Sequence, residues 1–211
     1  MRGSENDTFR RTLTTEYLSA IIQNIQPLGR KAGERMLETK DLFLRTAQFD
    51  DWKDMYRNVW SREETARYML WQVTTSEEDA MERMRRTIQF QSENAAWTVF
   101  EKRSGQAIGF AGMLPTENGV YEDCGVALGP EFVGQGYGKQ ILTALTDHAF
   151  EQLGAVAFVA TCRTQNAASR GTILSCGFTF THTEDRIDPR NDTPYVLEFY
   201  RLENEERVKQ S

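Results

Sequence analysis

The spacing of apolar positions changes several times along the chain, and each change marks an element. Between residues 15 and 25, Tyr17, Ile21, Ile22 and Ile25 recur at three- and four-residue intervals, which predicts a short helix ended by Pro27 and Gly29. Residues 42–45 read as a first strand. The Phe49-Asp-Asp-Trp52 run opens a helix, with both acids suited to its positive end. Ser61-Arg-Glu-Glu64 and Ser76-Glu-Glu-Asp79 are capping-box patterns, the second ahead of a helix running to Phe90. Residues 97–101 and 107–114 are apolar on both faces, as expected of strands inside a sheet covered on two sides, and Gly105 supplies their hairpin turn. Asn118-Gly119 is a second tight turn before a strand over residues 120–128. A helix over residues 139–153 carries Ile141, Leu142, Leu145, Ala149 and Leu153 on one face. Strands at residues 156–160, 178–182 and 196–202 complete the pattern, with a short helix opening at Asn166.

One stretch carries chemistry. Between the strand at 120–128 and the helix from Lys139 lies a loop with glycine at alternate positions, Gly134, Gly136 and Gly138, interleaved with Val133, Gln135 and Tyr137. Strand, glycine loop and helix N-terminus together make an anion cradle, because the first helical turn has free N–H groups and the dipole favours negative charge. The dinucleotide fingerprint needs a different last glycine spacing and a downstream acid, and the turn at residues 161–166 has none. A P-loop needs a hydroxyl after Gly-Lys, where this chain has Gln140. A tight turn without a ligand is the plain alternative.

After the glycine helix come an apolar strand, Asn166-Ala-Ala-Ser169-Arg170 at a helix start, and Cys176-Gly177-Phe178. This order resembles the GNAT superfamily of N-acetyltransferases, and more narrowly the branch of the ribosomal-protein N-terminal (serine/alanine) acetyltransferases. The resemblance covers roughly residues 38–203 and leaves residues 1–37 as an extension and 204–211 as a charged tail. It implies an α/β (α+β) fold with a mixed, mostly antiparallel sheet of about seven strands, splayed at the cofactor site and flanked by helices on both faces. It further implies acetyl-CoA as co-substrate, with its pyrophosphate on the residues 133–139, including Lys139, and its arm beside Val126, Ala127, Leu128, Asn166 and Ser169. Arg170 could reach a phosphate. The region between the first strand and the second long helix lines the acceptor pocket in that family, so Trp60, Tyr68 and Trp71 are pocket candidates as well as core candidates. Two positions depart from the pattern: Val133 stands where a polar or basic residue is usual, and Ile173 where many members place a tyrosine acid.

The implied reaction sets requirements. An alkyl amine, with a pKa of about 10, must lose a proton before attacking a thioester, and the leaving thiol has a pKa of about 8.5. Glu122 and Asp123 are the base candidates, projecting to opposite faces of one strand so that only one looks into the cleft unless a bulge intervenes. Ser169 is the candidate contact for the thiolate. The acceptor is a protein N-terminus or a small amine, and a GNAT-fold coenzyme-binding scaffold without catalysis is the rival reading.

The 211 residues suit one domain, and a formal charge of −6 argues against a nucleic-acid partner and mildly favours a cationic one. Cys124, Cys162 and Cys176 lack metal or redox spacing, as do His148 and His182, which predicts reduced thiols and no metal. Without an apolar run of about 18 residues or a secretory start, a cytoplasmic protein is expected. The extra N-terminal segment suggests a homodimer contact or a lid.

Overall fold

A computed structural model describes residues 36–205. The helix expected at 15–25 and the end of the tail lie outside the described residues. Eight strands form one sheet there: β1 Leu37–Glu38, β2 Leu42–Arg45, β3 Ala95–Glu101, β4 Ala107–Pro115, β5 Val120–Leu128, β6 Ala157–Arg163, β7 Thr179–Asp188 and β8 Thr193–Glu203. Their order is β1-β2-β3-β4-β5-β6-β8-β7, and every neighbouring pair is antiparallel except β5–β6. The strand beyond the seven expected is β1, whose two residues are too few to carry a readable period.

Helices cover both faces. On one face α4 (Tyr137–Asp147), continued by a wide turn over His148–Gln152, and α5 (Ala167–Ser175) pack on the sheet. Ile141 and Leu145 of α4 are fully buried against Trp97, Val99, Met113, Phe158 and their neighbours. On the other face α1 (Trp52–Met55), the wide turn Tyr56–Trp60 and α3 (Glu77–Glu93) cover β2 to β4 through Met55, Val59, Ala80, Met84 and Phe100. With layers on both sides, every residue of β3 is buried, as apolar side chains on both its faces predicted, and Thr98 and Glu101 are buried with them.

Local signals hold at some helix starts and fail at others. Ser76 Oγ accepts the Asp79 N–H at 3.1 Å, so that capping box forms its cap. Ser61 does not: its hydroxyl turns back to the Tyr56 carbonyl at 2.7 Å, and only the single turn α2 (Glu63–Ala66) follows. Residues 67–75 then run as an irregular loop over the sheet.

β7 is twice as long as expected and β8 extends at both ends, because the polar outer half of the hairpin carries no apolar alternation to read. A buried ion cluster anchors it. Asp188, 1% exposed, takes Arg163 at 2.8 Å and Arg190 at 2.7 Å, and Arg190 Nη1 donates to the carbonyls of Ala66 and Trp71 at 2.9 and 3.3 Å. The hairpin is thereby tied to the 67–75 loop. Hydrogen bonds from Arg190 and then Arg163 hold the Asp188 carboxyl well below the usual carboxylate range. Because the folded value is depressed, the stabilisation is complete above about pH 4 and drains away as pH falls below the unfolded value. Asp188→Ala leaves two buried guanidinium groups unpaired and is expected to cost about 3–5 kcal/mol at pH 7 in denaturant unfolding. The gap between parent and variant should narrow towards pH 2.

Candidate active site

The site begins where the sheet stops pairing. β5 and β6 are in register only at Val120↔Ala157, Tyr121↔Phe158 and Glu122↔Val159. One residue later β5 bulges: Met113 of β4 faces Asp123 while Gly112 faces Gly125, which leaves Cys124 extra and Gly125 at φ 122°. The two strands diverge from that point. Asp123 fills the crotch, its Oδ1 accepting the Thr161 N–H at 2.9 Å and the Thr161 hydroxyl at 3.3 Å. A side chain thus takes the amide on β6 that parallel pairing would otherwise have used. Beyond it Val126, Ala127 and Leu128 pair with Ala111, Phe110 and Gly109 of β4 and turn their other edge to the opening.

The glycine loop stands beside this cleft. Gly134 and Gly136 adopt φ of 77° and 78°, and a Cβ at either would meet no atom within 4 Å, so the backbone there is bare and accessible. Gly136 precedes α4 without a side-chain cap, which leaves first-turn N–H groups for a ligand. A Cβ on Gly138 would stand 3.4 Å from the Thr172 side chain, so the glycine lets α4 pack close to α5. Val133, Gln135 and Lys139 are exposed around the loop. Tyr137 offers only its backbone: the ring is 7% exposed and its hydroxyl donates to buried Glu101 at 2.8 Å.

Across the cleft Asn166 caps α5, its Oδ1 accepting the Ser169 N–H at 3.1 Å. Asn166 and Ser169 are both half-buried at this helix start. Arg170 does not fit its expected role as a phosphate ligand. Its guanidinium is committed to Glu198 through two 2.8 Å bonds and to the Thr164 carbonyl at 2.6 Å. The paired carboxylate satisfies the charge internally, and Tyr200 adds a third bond to Glu198. Ile173 is 3% exposed and belongs to the core.

The two acids divide between the faces. Asp123 is cross-strand from Met113, which packs among the α4 side chains, so it lies on the α4–α5 side. Glu122, cross-strand from Leu114, lies on the opposite side. There the helical layer stops short, and β7 carries His182, Glu184 and Arg186 with side chains 54%, 39% and 38% exposed. Burial raises the Glu122 carboxyl above its ordinary value, with Arg186 opposing and Glu184 adding to the shift. Burial, then the Glu122 charge, pushes Asp123 up to about 7.

The 67–75 loop roofs this second opening. Tyr68 Oη reaches the Gln165 carbonyl at 3.2 Å, just before α5, and the Met69 methyl lies 3.3 Å from where a Cβ on Gly125 would stand. Trp71 belongs to the same loop. Trp60 does not line the opening: it is 2% exposed in the second core cluster, with Arg83 over its ring at 4.8 Å. Met69 and Arg190 escaped sequence reading, since neither stands in a motif.

A strand splayed from its parallel neighbour, a bare glycine turn at a helix start and an Asn-capped helix opposite make a slot for an extended anionic ligand with a reactive end. The profile of the acetyltransferase (GNAT) domain matches residues 41–179. The chain belongs to the GNAT acetyltransferase family. Over 70 residues it is 37% identical to the FsC-acetyl coenzyme A-N(2)-transacetylase of Aspergillus fumigatus, a match spanning 33% of this chain and 28% of that protein. A GCN5-related N-acetyltransferase from Brucella melitensis superposes with a TM-score of 0.73 at 16% identity, covering 87% of this chain and 85% of that one. The ribosomal-protein acetyltransferase RimL, solved with coenzyme A, gives 0.69 at 22% identity over 80% and 98% of the two chains. These superpositions establish the GNAT fold.

Among the described residues of this GNAT domain, no cluster of three His, Cys, Asp or Glu side chains could hold a metal, and no helix is long and apolar enough to cross a membrane. The three cysteines are free. The raised Asp123 carboxyl has a consequence for stability. Between about pH 4 and pH 7 the folded chain holds a proton that the unfolded chain has lost, so this group lowers stability as pH rises through that window. Asp123→Asn keeps an oxygen for Thr161 and is expected to be more stable than the parent at pH 8. In urea unfolding that advantage should vanish near pH 4.

Proposed function

We propose that this acetyltransferase moves the acetyl group of acetyl-CoA directly to a primary amine, with Glu122 as the general base. The observation that carries the reading is the bare glycine turn at the start of α4, set beside the β5–β6 splay. Backbone N–H groups of residues 134–139 would hold the pyrophosphate, with Lys139 as the nearby cation. The unpaired edge of Val126–Leu128 and the Asn166 amide would take the polar groups of the arm.

The coenzyme side is the α4–α5 face, so the amine must arrive from the other face, where Glu122 lies beneath the Tyr68–Met69 roof. Glu122 takes the ammonium proton, the neutral nitrogen attacks the thioester carbonyl, and a backbone N–H of the 126–128 edge stabilises the oxyanion. The C–N bond forms first, and as the tetrahedral oxyanion collapses the C–S bond breaks while the nitrogen gives up its second proton to solvent. The thiolate leaves towards the Ser169 hydroxyl, which hydrogen-bonds it while solvent supplies its proton. Asp123, already bonded to Thr161 across the crotch, holds the splay open instead of acting as base. Val133 and Ile173 favour a second reading, a scaffold that binds coenzyme without turnover, because they remove a loop side-chain ligand and a strong acid.

Calorimetric titration with acetyl-CoA tests the first half. Micromolar binding is expected in the parent and none in Gly136→Glu, whose side chain would occupy the cradle from a strained positive φ. Thiol release with a panel of protein N-termini and small amines tests the second. Glu122→Gln should lower kcat/KM by about 10²–10⁴ and abolish the acid limb of the pH profile. Binding with no turnover on any amine would favour the scaffold.

A further inference from the structure

The first turn of α4 is fastened to the far half of the sheet by two polar anchors that no motif announces. Tyr137, its first residue, sends its hydroxyl 2.8 Å to Glu101 at the end of β3. Glu101 is 1% exposed, and Arg103 pairs with it at 3.3 Å. Three residues on, Gln140 is bound on both ends of its amide: Oε1 accepts the Thr39 hydroxyl at 2.8 Å and the Asp41 N–H at 3.1 Å, while Nε2 donates to Asp41 Oδ2 at 2.8 Å. Thr39 and Asp41 form the turn between β1 and β2.

We infer that Glu101 and Gln140 are positioning residues for the coenzyme cradle, fixing the height and rotation of the α4 N-terminus so that its free N–H groups point at the phosphate site. This rests on the coenzyme reading above. Between these anchors and the sheet α4 packs through the apolar side chains of Ile141, Leu142 and Leu145, and its contacts with the Cys176 sulfur, from Thr143 Oγ1 at 4.0 Å and the Lys139 carbonyl at 3.9 Å, are long and weak. Apolar packing is non-directional and tolerates a small slide or roll of a helix, whereas hydrogen bonds lose strength steeply with angle. Backbone donors that must converge on one anion need the directional constraint, and it comes from residues on both sides of the turn.

The choice of a carboxylate sharpens the case. A buried negative charge close to an anion site weakens anion binding, so Glu101 serves that site only through the bond it accepts. The plain alternative is that Glu101 merely ties up the β3–β4 turn, where Ser104 and Arg103 also reach it. Tyr137→Phe separates the two, because it leaves the turn's own bonds intact and releases only the helix.

The test is titration of acetyl-CoA into the full chain, with the thermal midpoint of each variant measured alongside. Tyr137→Phe and Gln140→Ala are each expected to weaken binding five- to twentyfold, on the order of 1–2 kcal/mol. Glu101→Gln keeps an acceptor for Tyr137 and should bind as well as the parent or better, while Glu101→Ala should resemble Tyr137→Phe. Leu202→Ala, a destabilised control in β8, should lower the midpoint without changing affinity. Parent-like affinity in Tyr137→Phe, or equal weakening in Leu202→Ala, would overturn the inference while leaving the coenzyme reading intact. No binding by the parent would remove that reading and this one with it.

Discussion

The structure depends on an interruption: parallel pairing between β5 and β6 ends after three residue pairs. A sheet that stops pairing in its interior exposes amide and carbonyl groups that cost free energy unless something takes them. Here the Asp123 carboxylate takes the first of these, the Thr161 N–H, at the point of divergence. The bulge at Cys124 and the positive φ of Gly125 turn β5 away, so the gap widens with each residue towards Leu128 and the glycine loop. α4 and α5 both start at the wide end of this wedge. The opening therefore has helix N-termini on one face and a loop roof on the other, and it passes through the sheet between them.

Each half of the wedge is braced by polar groups brought from far along the chain. The half that carries the glycine turn is held through Tyr137 and Gln140. The half under the loop roof is held through Asp188, which gathers Arg163 from β6 and Arg190 from the hairpin turn, and Arg190 in turn grips the loop that carries Tyr68 and Met69. Burying such groups is costly, and breaking one partner costs more than the pair contributes. That asymmetry makes them effective at specifying one loop position among several that apolar contacts alone would permit.

The elements readable in the sequence were those whose signal is local. Alternate glycines before an amphipathic helix, Asn166 three residues before Ser169, and β3 with apolar side chains on both faces each report a constraint met within a few residues. What escaped was set by partners distant in sequence. Arg170 reads as a free cation until Glu198 is brought across from β8, and Tyr137 reads as part of the loop until Glu101 draws its ring inward. Ser61 has the letters of a cap, yet the wide turn before it presents the Tyr56 carbonyl first. The polar outer half of β7 and β8 lacks apolar alternation because β7 is an edge strand, where charge and exposure oppose further pairing. Met69 gains meaning only from lying against Gly125.

Two adjacent carboxylates on β5 lie on different faces of the sheet. Alternation separates Glu122 from Asp123, yet they remain close enough for the Glu122 charge to add to the rise that burial causes in the Asp123 carboxyl. Their surroundings differ. Burial raises both carboxyls, Asp123 to about 7, and Arg186 opposes the rise at Glu122. Asp123 accepts from Thr161 across the point of divergence and keeps the wedge in place. Glu122 lies on the other face, near Arg186 and Glu184 of β7. Alternation along one strand thus commits one acid to the architecture and turns its neighbour to the opposite opening.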